Sequence, residues 1–173
     1  MTPDDGTAYQ AALGLRAVRN FAARPVSEEH LAQILQAARW TGSSKNIQPW
    51  IFVVVTDPVQ RDAVAAAGSF TAPVTNAPLT IAIVRTPDGG DFDMGRAAQN
   101  IMLAAQAIGV ASCPVTLHNE AVARQALGLP DDHGCRYAIA LGYADVAADV
   151  EAAKSRPYGG RKPLEELVRY QRF

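Results

Sequence analysis

The 173-residue chain holds few of the features that usually betray a function at first sight. It has two cysteines, Cys113 and Cys135, with no C-x-x-C spacing and no histidine cluster beside them, which argues against a zinc site or a disulfide framework and makes both reduced core thiols. It has no excess of either charge: a formal net charge of −1 gives no general attraction for nucleic acid or an anionic membrane. It has no apolar run long enough to span a bilayer, and its first residues, Met-Thr-Pro-Asp-Asp-Gly, are polar and acidic where a secretory leader is basic and then apolar. A cytoplasmic location is therefore expected. There is no internal repeat, and no G-x-G-x-x-G after a strand to hold a dinucleotide in a Rossmann crevice.

What is present is a chain with 49% apolar residues, enough for one domain with a sizeable core and too short for two. A single domain over residues 1–173 is expected, with about residues 1–8 flexible. Residues 7–18 read as a weak helix. Pro25-Val26-Ser27-Glu28-Glu29 supplies a turn, a serine cap and an acidic first turn for a helix that ends near Trp40. Trp50 to Thr56 and Leu79 to Val84 read as strands buried on both faces, with a helix starting at Asp57-Pro58 between them and a proline-containing loop over 71–78. Asp93 to Ile108 is a helix apolar almost all round in its second half, which asks for cover on every side and suggests a second subunit. Val110 to Leu117 is a strand or extended run, Asn119 caps a helix closed by Gly128, and Arg136 to Tyr143 is the last strand. Residues 145–162 read as irregular, and Pro163 then opens a short helix. A tail of this length suits a segment that wraps a partner.

Between the Trp40 helix and the Trp50 strand lies Ser43-Ser-Lys-Asn-Ile-Gln-Pro-Trp50, a short loop dense in hydrogen-bonding side chains. It resembles the flavin-contacting loop of the nitroreductase family of FMN-dependent oxidoreductases. Four further segments match that family in the same order: Leu15-Arg-Ala-Val-Arg-Asn-Phe21, the helix Asp93-Met-Gly-Arg-Ala-Ala-Gln-Asn100 and onward, Gly109-Val-Ala-Ser-Cys-Pro114, and Gly142-Tyr143 with Gly159-Gly-Arg-Lys-Pro163. Each motif alone is weak; five in order, from about residue 12 to residue 168, are specific.

The resemblance implies an α+β, three-layer fold, a central mixed and mainly antiparallel sheet flanked by helices, in an intertwined homodimer with FMN at the subunit interface. It implies NADPH or NADH as a transient electron donor and a small-molecule electron acceptor such as a nitroaromatic or a quinone, reduced in a ping-pong cycle. Cofactor contacts are expected from Arg16, Ala17 and Arg19, from Ser43, Ser44, Asn46 and Gln48 of the other subunit, from Pro114, Val115, Thr116 and Leu117 against the ring, and from Arg161 and Lys162 at the phosphate. Arg19 falls at the N1/O2 edge, where a cation favours reduction, and an amide near Thr116 would donate to N5. No side chain is required as acid or base, so none is named catalytic. His118, which follows this run, reads as a surface or packing residue with a place facing substrate as the alternative, and Asp93, Gln99 and Asn100 as capping or packing. Leu15 and Ala17 depart from the family's arginine and serine, and each missing hydrogen bond to a charged group would weaken FMN by about 1.5–3 kcal/mol. That departure leaves open a flavin-storing or flavin-sensing protein without efficient turnover. The family also leaves open dehalogenation, ring oxidation or deazaflavin use.

Overall fold

In the computed structural model, residues 8–154 and 160–173 are described. Residues 1–7, which include nearly all of the expected flexible N-terminus, lie outside the described residues, as does Gly159 of the last motif.

The element order is α1 (Ala8–Gly14), α2 (Glu28–Arg39), β1 (Trp50–Val55), α3 (Pro58–Ala65), α4 (Ala72–Asn76), β2 (Leu79–Arg85), α5 (Asp91–Ala107), β3 (Ala111–Thr116), α6 (Glu120–Leu127), β4 (Gly134–Gly142), α7 (Val146–Lys154) and α8 (Leu164–Leu167). The four strands form one sheet in the order β1-β2-β4-β3, every neighbour antiparallel. The mixed character comes from an isolated parallel bridge that Ala17 makes to Ser112 on the outer side of β3.

Alternation along the central strands sorts the core into two faces. Leu79, Ile81 and Ile83 of β2 with Ile139 and Leu141 of β4 meet Ile34 and Ala38 of α2 and Met94, Ile101 and Ala105 of α5. On the other face Ala82, Val84 and Ala138 meet Val64 of α3, Val74 of α4 and Ala123 of α6. Full burial of each larger aliphatic side chain here is worth about 1.5–3 kcal/mol. The register slips between Ile83, opposite Tyr137, and Arg85, opposite Gly134, and the extra residue on β4 turns Cys135 to the same face as Ala138. Both cysteines are buried and neither is in a disulfide, as the sequence indicates. Burial, reinforced by the Glu120 carboxylate, pushes the Cys135 thiol up to about 12, so it stays protonated near neutrality.

Ser27 caps α2 by accepting from the His30 amide at 3.2 Å, and Asn119 caps α6 through the Val122 amide, also at 3.2 Å. Gly128, at φ 63°, closes α6 in the left-handed region that glycine enters without a Cβ penalty.

Four expectations are corrected. α1 stops at Gly14, because from Leu15 the chain runs toward β3 and bridges it at Ala17. β1 is not buried on both faces: it ends the sheet, and Ile51 and Val54 are 49% and 36% exposed. Residues 71–78 contain the short helix α4, in whose first turn the missing amide of Pro73 costs no hydrogen bond. Part of the stretch expected to be irregular is helix α7, which Asp145 caps through the Ala148 amide at 3.0 Å and whose alanines favour a helix. The apolar second half of α5 is covered on one side by Ile101 and Ala105 in the core, while Met102, Leu103 and Ile108 stay half-buried. Among the described residues no helix is long and apolar enough to cross a membrane.

Candidate functional site

The most informative backbone in the molecule is the outer edge of β3. The strand pairs with β4 on one side only. On the other side the Val18 amide donates to the Ser112 carbonyl at 2.9 Å, while past the end of the strand the Leu117 amide donates inward to Arg136 at 2.8 Å. Strand alternation therefore directs the peptide groups of Ser112, Pro114 and Thr116 outward and those of Cys113, Val115 and Leu117 toward β4. Pro114, which has no amide hydrogen, occupies an outward position and costs the ladder nothing. Two residues further on, Thr116 offers an amide to the open edge.

That edge borders a cavity of about 230 Å³ whose lining includes Arg19, Phe70, Pro114, Thr116 and His118. The Arg19 amide donates to Asp149 Oδ1 at 3.1 Å, which ties its loop to α7. Among the described residues the Arg19 guanidinium has no hydrogen bond or ion pair, and neither has the His118 ring. An unpaired guanidinium and an outward amide around one small cavity suit a planar group that presents acceptor atoms along its edge.

The second cluster lies at the opposite edge of the sheet, in the loop that feeds β1. Ser43 Oγ accepts the Gln48 amide at 2.8 Å, and single-turn bonds run from Asn46 N–H to Ser43 O at 3.1 Å and from Ile47 N–H to Ser44 O at 3.0 Å. Lys45, Asn46 and Gln48 are held at φ 50°, 57° and 54°, a left-handed geometry that costs side-chain-bearing residues about 1–2 kcal/mol each and less for asparagine. Asn46 and Gln48 line a cavity of about 330 Å³ with Arg39, Trp40, Thr41 and Gly42, and Ser44 is exposed beside it. Three inter-strand spacings of about 4.8 Å, roughly 14 Å in all, separate the strand this loop enters from β3. A single protomer keeps the two clusters in separate cavities.

The remaining expected residues are scattered. Arg16 turns its guanidinium onto the carbonyls of Leu13 and Leu15, at 2.7 and 2.8 Å, and lines a cavity of about 250 Å³ between the end of α1 and the start of β3. Ala17 is held in the bridge to Ser112. Leu117 is fully buried and its amide is already used, so it offers the cavity nothing. Val115 is 5% exposed and lines the same small cavity as Pro114 and Thr116, as expected of a residue against the ring. Arg161 and Lys162 are exposed on the C-terminal segment. Asn100 packs as expected, donating to Thr41 Oγ1 at 2.8 Å. Sequence reasoning missed Phe70, Arg39 and Trp40, because nothing in an aromatic or cationic side chain's immediate neighbours says that it faces a cavity.

A family model described as the nitroreductase family matches residues 13–87 and 69–143, which together take in both edge clusters. The chain belongs to the nitroreductase family. Among its relatives is a protein of Archaeoglobus fulgidus provisionally named an NADH dehydrogenase/NAD(P)H nitroreductase, 28% identical over 152 residues, covering 82% of this chain and 87% of that protein. An NADPH-flavin oxidoreductase of Vibrio harveyi is 28% identical over 159 residues, covering 80% and 66%. Among solved structures, a mutant form of the FMN and NADPH-dependent nitroreductase NfnB of a Sphingopyxis strain superimposes with a TM-score of 0.79 at 27% identity, over 96% of this chain and 100% of that one. Nitroreductase A of Vibrio parahaemolyticus gives a TM-score of 0.81 at 26% identity, over 95% and 75%. The nitroreductase match ends at residue 143, so α7, α8 and the cations Arg161 and Lys162 lie beyond it.

Proposed function

We propose that this nitroreductase-family chain is a homodimeric, FMN-dependent oxidoreductase that takes hydride from NADH or NADPH and reduces a nitroaromatic, quinone or similar small acceptor in a ping-pong cycle. The observation that carries this reading is the outward Thr116 amide on the edge of β3, sharing a small cavity with the Arg19 guanidinium, which has no partner among the described residues. The names of the Vibrio harveyi and Sphingopyxis relatives, one a flavin oxidoreductase and the other FMN and NADPH-dependent, support it.

The residues present fit the ring end of FMN. Thr116 supplies a donor for a ring nitrogen, and Arg19 supplies a positive charge that favours the negative charge reduction places on the ring's N1 edge. When bound, FMN supplies a ring able to accept a hydride and then to hand electrons to a second molecule stacked on the same face. The phosphate end depends on Arg161 and Lys162, since Leu15 and Ala17 offer no polar side chain and Arg16 is engaged by two backbone carbonyls. Ser43, Ser44, Asn46 and Gln48 reach the cofactor across a subunit boundary, because the width of the sheet keeps them from β3 within one copy. The C-terminal segment favours the same assembly: Leu164, Leu167 and Tyr170 are 72%, 63% and 88% exposed, apolar surface that a second copy would cover. The sequence has no G-x-G-x-x-G fingerprint after a strand to hold the dinucleotide in a crevice, so it binds over the flavin and leaves before the acceptor arrives.

The test is the visible spectrum of the purified protein, supplied with FMN if colourless, during anaerobic titration with NADPH and then NADH. Bleaching of bound flavin by either nucleotide supports the oxidoreductase. Bound flavin that neither nucleotide reduces would favour a storage or sensing role, for which the Leu15 and Ala17 positions speak.

A further inference from the structure

The cavity at the C-terminal end of α2 contains more than a flavin-contacting loop needs. Trp40 follows the last turn of the helix and is 74% exposed. The Arg39 guanidinium carbon stands 5.6 Å from the indole centroid, and its Nε is held by Gln36 Oε1 at 3.1 Å. The floor is fixed, because Thr41 is 4% exposed and accepts from Asn100 of α5 at 2.8 Å. At the rim, Arg96 donates to the Gly42 carbonyl, and a Cβ on Gly42 would come within 2.9 Å of the same guanidinium, so only glycine leaves this arginine in place. Lys45, exposed, precedes the lining residue Asn46 in the neighbouring strained loop. Among the described residues none of Arg39, Lys45 and Arg96 has a carboxylate partner.

An indole open to solvent, with Arg39 beside it, Arg96 at the rim and Lys45 on the adjoining loop, suits a ligand with a flat, π-rich base and several negative charges. An isolated aromatic acceptor lacks the charges, and inorganic phosphate lacks the base. We propose that this cavity receives the phosphorylated adenosine half of the reduced dinucleotide, the base on Trp40 and the phosphates among Arg39, Arg96 and Lys45. This rests on the reading that Asn46 and Gln48 stand at the flavin, since they line the same cavity and would lead the dinucleotide from ring to indole. Three cations exceed what the pyrophosphate of NADH balances, so the additional 2′-phosphate of NADPH is preferred.

The test uses the FMN-loaded dimer and adenosine 2′,5′-bisphosphate as the probe, followed by tryptophan fluorescence; Trp50, the other tryptophan, is 8% exposed and gives a steady background. Saturable quenching is expected, absent in Trp40→Phe and weakened at least tenfold in Arg39→Ala. In steady-state assays Arg39→Ala and Trp40→Ala should each raise KM for NADPH at least tenfold, with the NADH value moving less in Arg39→Ala and FMN content unchanged. No quenching, an unchanged KM for NADPH in Trp40→Ala, or dissociation of that variant into monomers would overturn the proposal, the last by making Trp40 a subunit contact. Quenching by the bisphosphate without flavin bleaching by any nucleotide would leave the adenosine site standing and remove the oxidoreductase; bleaching without quenching would do the reverse.

Discussion

The two edges of the sheet are treated in opposite ways. β3 is punctuated by Pro114, bridged at Ser112 by the Ala17–Val18 segment, and left open only where Thr116 faces a small polar cavity. β1 reads Trp-Ile-Phe-Val-Val-Val, with no proline, no charge and no covering strand, and it leaves Ile51 and Val54 in solvent. Proteins seldom leave a long apolar edge bare, because it pairs with whatever chain it meets. The contrast teaches that one edge is closed by proline and a bridging segment and the other is left apolar and bare; under the proposed function the first serves chemistry and the second assembly, the loop entering β1 carrying the second donor cluster to the subunit that covers that edge.

The sharpest way to break this contrast is to charge the β1 edge. Ile51→Lys with Val54→Lys should reduce the particle by light scattering to a single chain of 18.4 kDa and weaken FMN at least a hundredfold, the far-UV spectrum being retained. A dimer that persists with full flavin would show that assembly uses another surface. The β3 edge is next. Thr116→Pro removes an outward amide that β4 does not use, so the fold should survive while anaerobic flavin reduction slows at least tenfold. Val115→Pro, one residue away, removes an inward hydrogen bond and should instead lower unfolding free energy in urea by about 1–3 kcal/mol. Equal effects at the two positions would refute the strand parity on which the site rests. Arg161→Ala tests the phosphate end: FMN affinity should fall at least tenfold by fluorescence titration with the dimer intact, and an unchanged affinity would remove that residue from the site.

The interior of the molecule was far more legible than its edges. Strand β2 and the capped helices α2 and α6 follow from patterns whose cause is local: a run of apolar residues, a serine or asparagine cap, a glycine stop. The apolar run of β1 carries the same signal as β2, and only the strand order, a long-range property, makes one an edge and the other a centre. Helix α7 was obscured by Pro157 and the glycines after it, which drew more weight than its alanines and the Asp145 cap. At the site, the donor-rich loop was readable as a motif and the outward position of Pro114 follows from its missing amide. Nothing local told that Arg16 would turn onto its own backbone, that Leu117 would be sealed in the core, or that Lys45 would be left-handed.

The smallest expected effect bears on why that last feature is retained. Lys45 and Asn46 share nearly the same backbone geometry, at φ 50° and 57°, but lysine pays a steric cost there that asparagine largely avoids. Lys45→Gly relieves that cost and adds unfolded-state entropy, so the net gain should be about 0.5–1 kcal/mol, or roughly 1–4 °C in Tm for a chain of this size. Asn46→Gly should change stability by less than half as much. If calorimetry finds the order reversed, the loop's strain is held by Asn46 and not by Lys45. If the order holds and Lys45→Gly also loses affinity for adenosine 2′,5′-bisphosphate, the lysine is kept in an unfavourable conformation for the charge it places beside the cavity at this edge, and the strain is a cost of that binding.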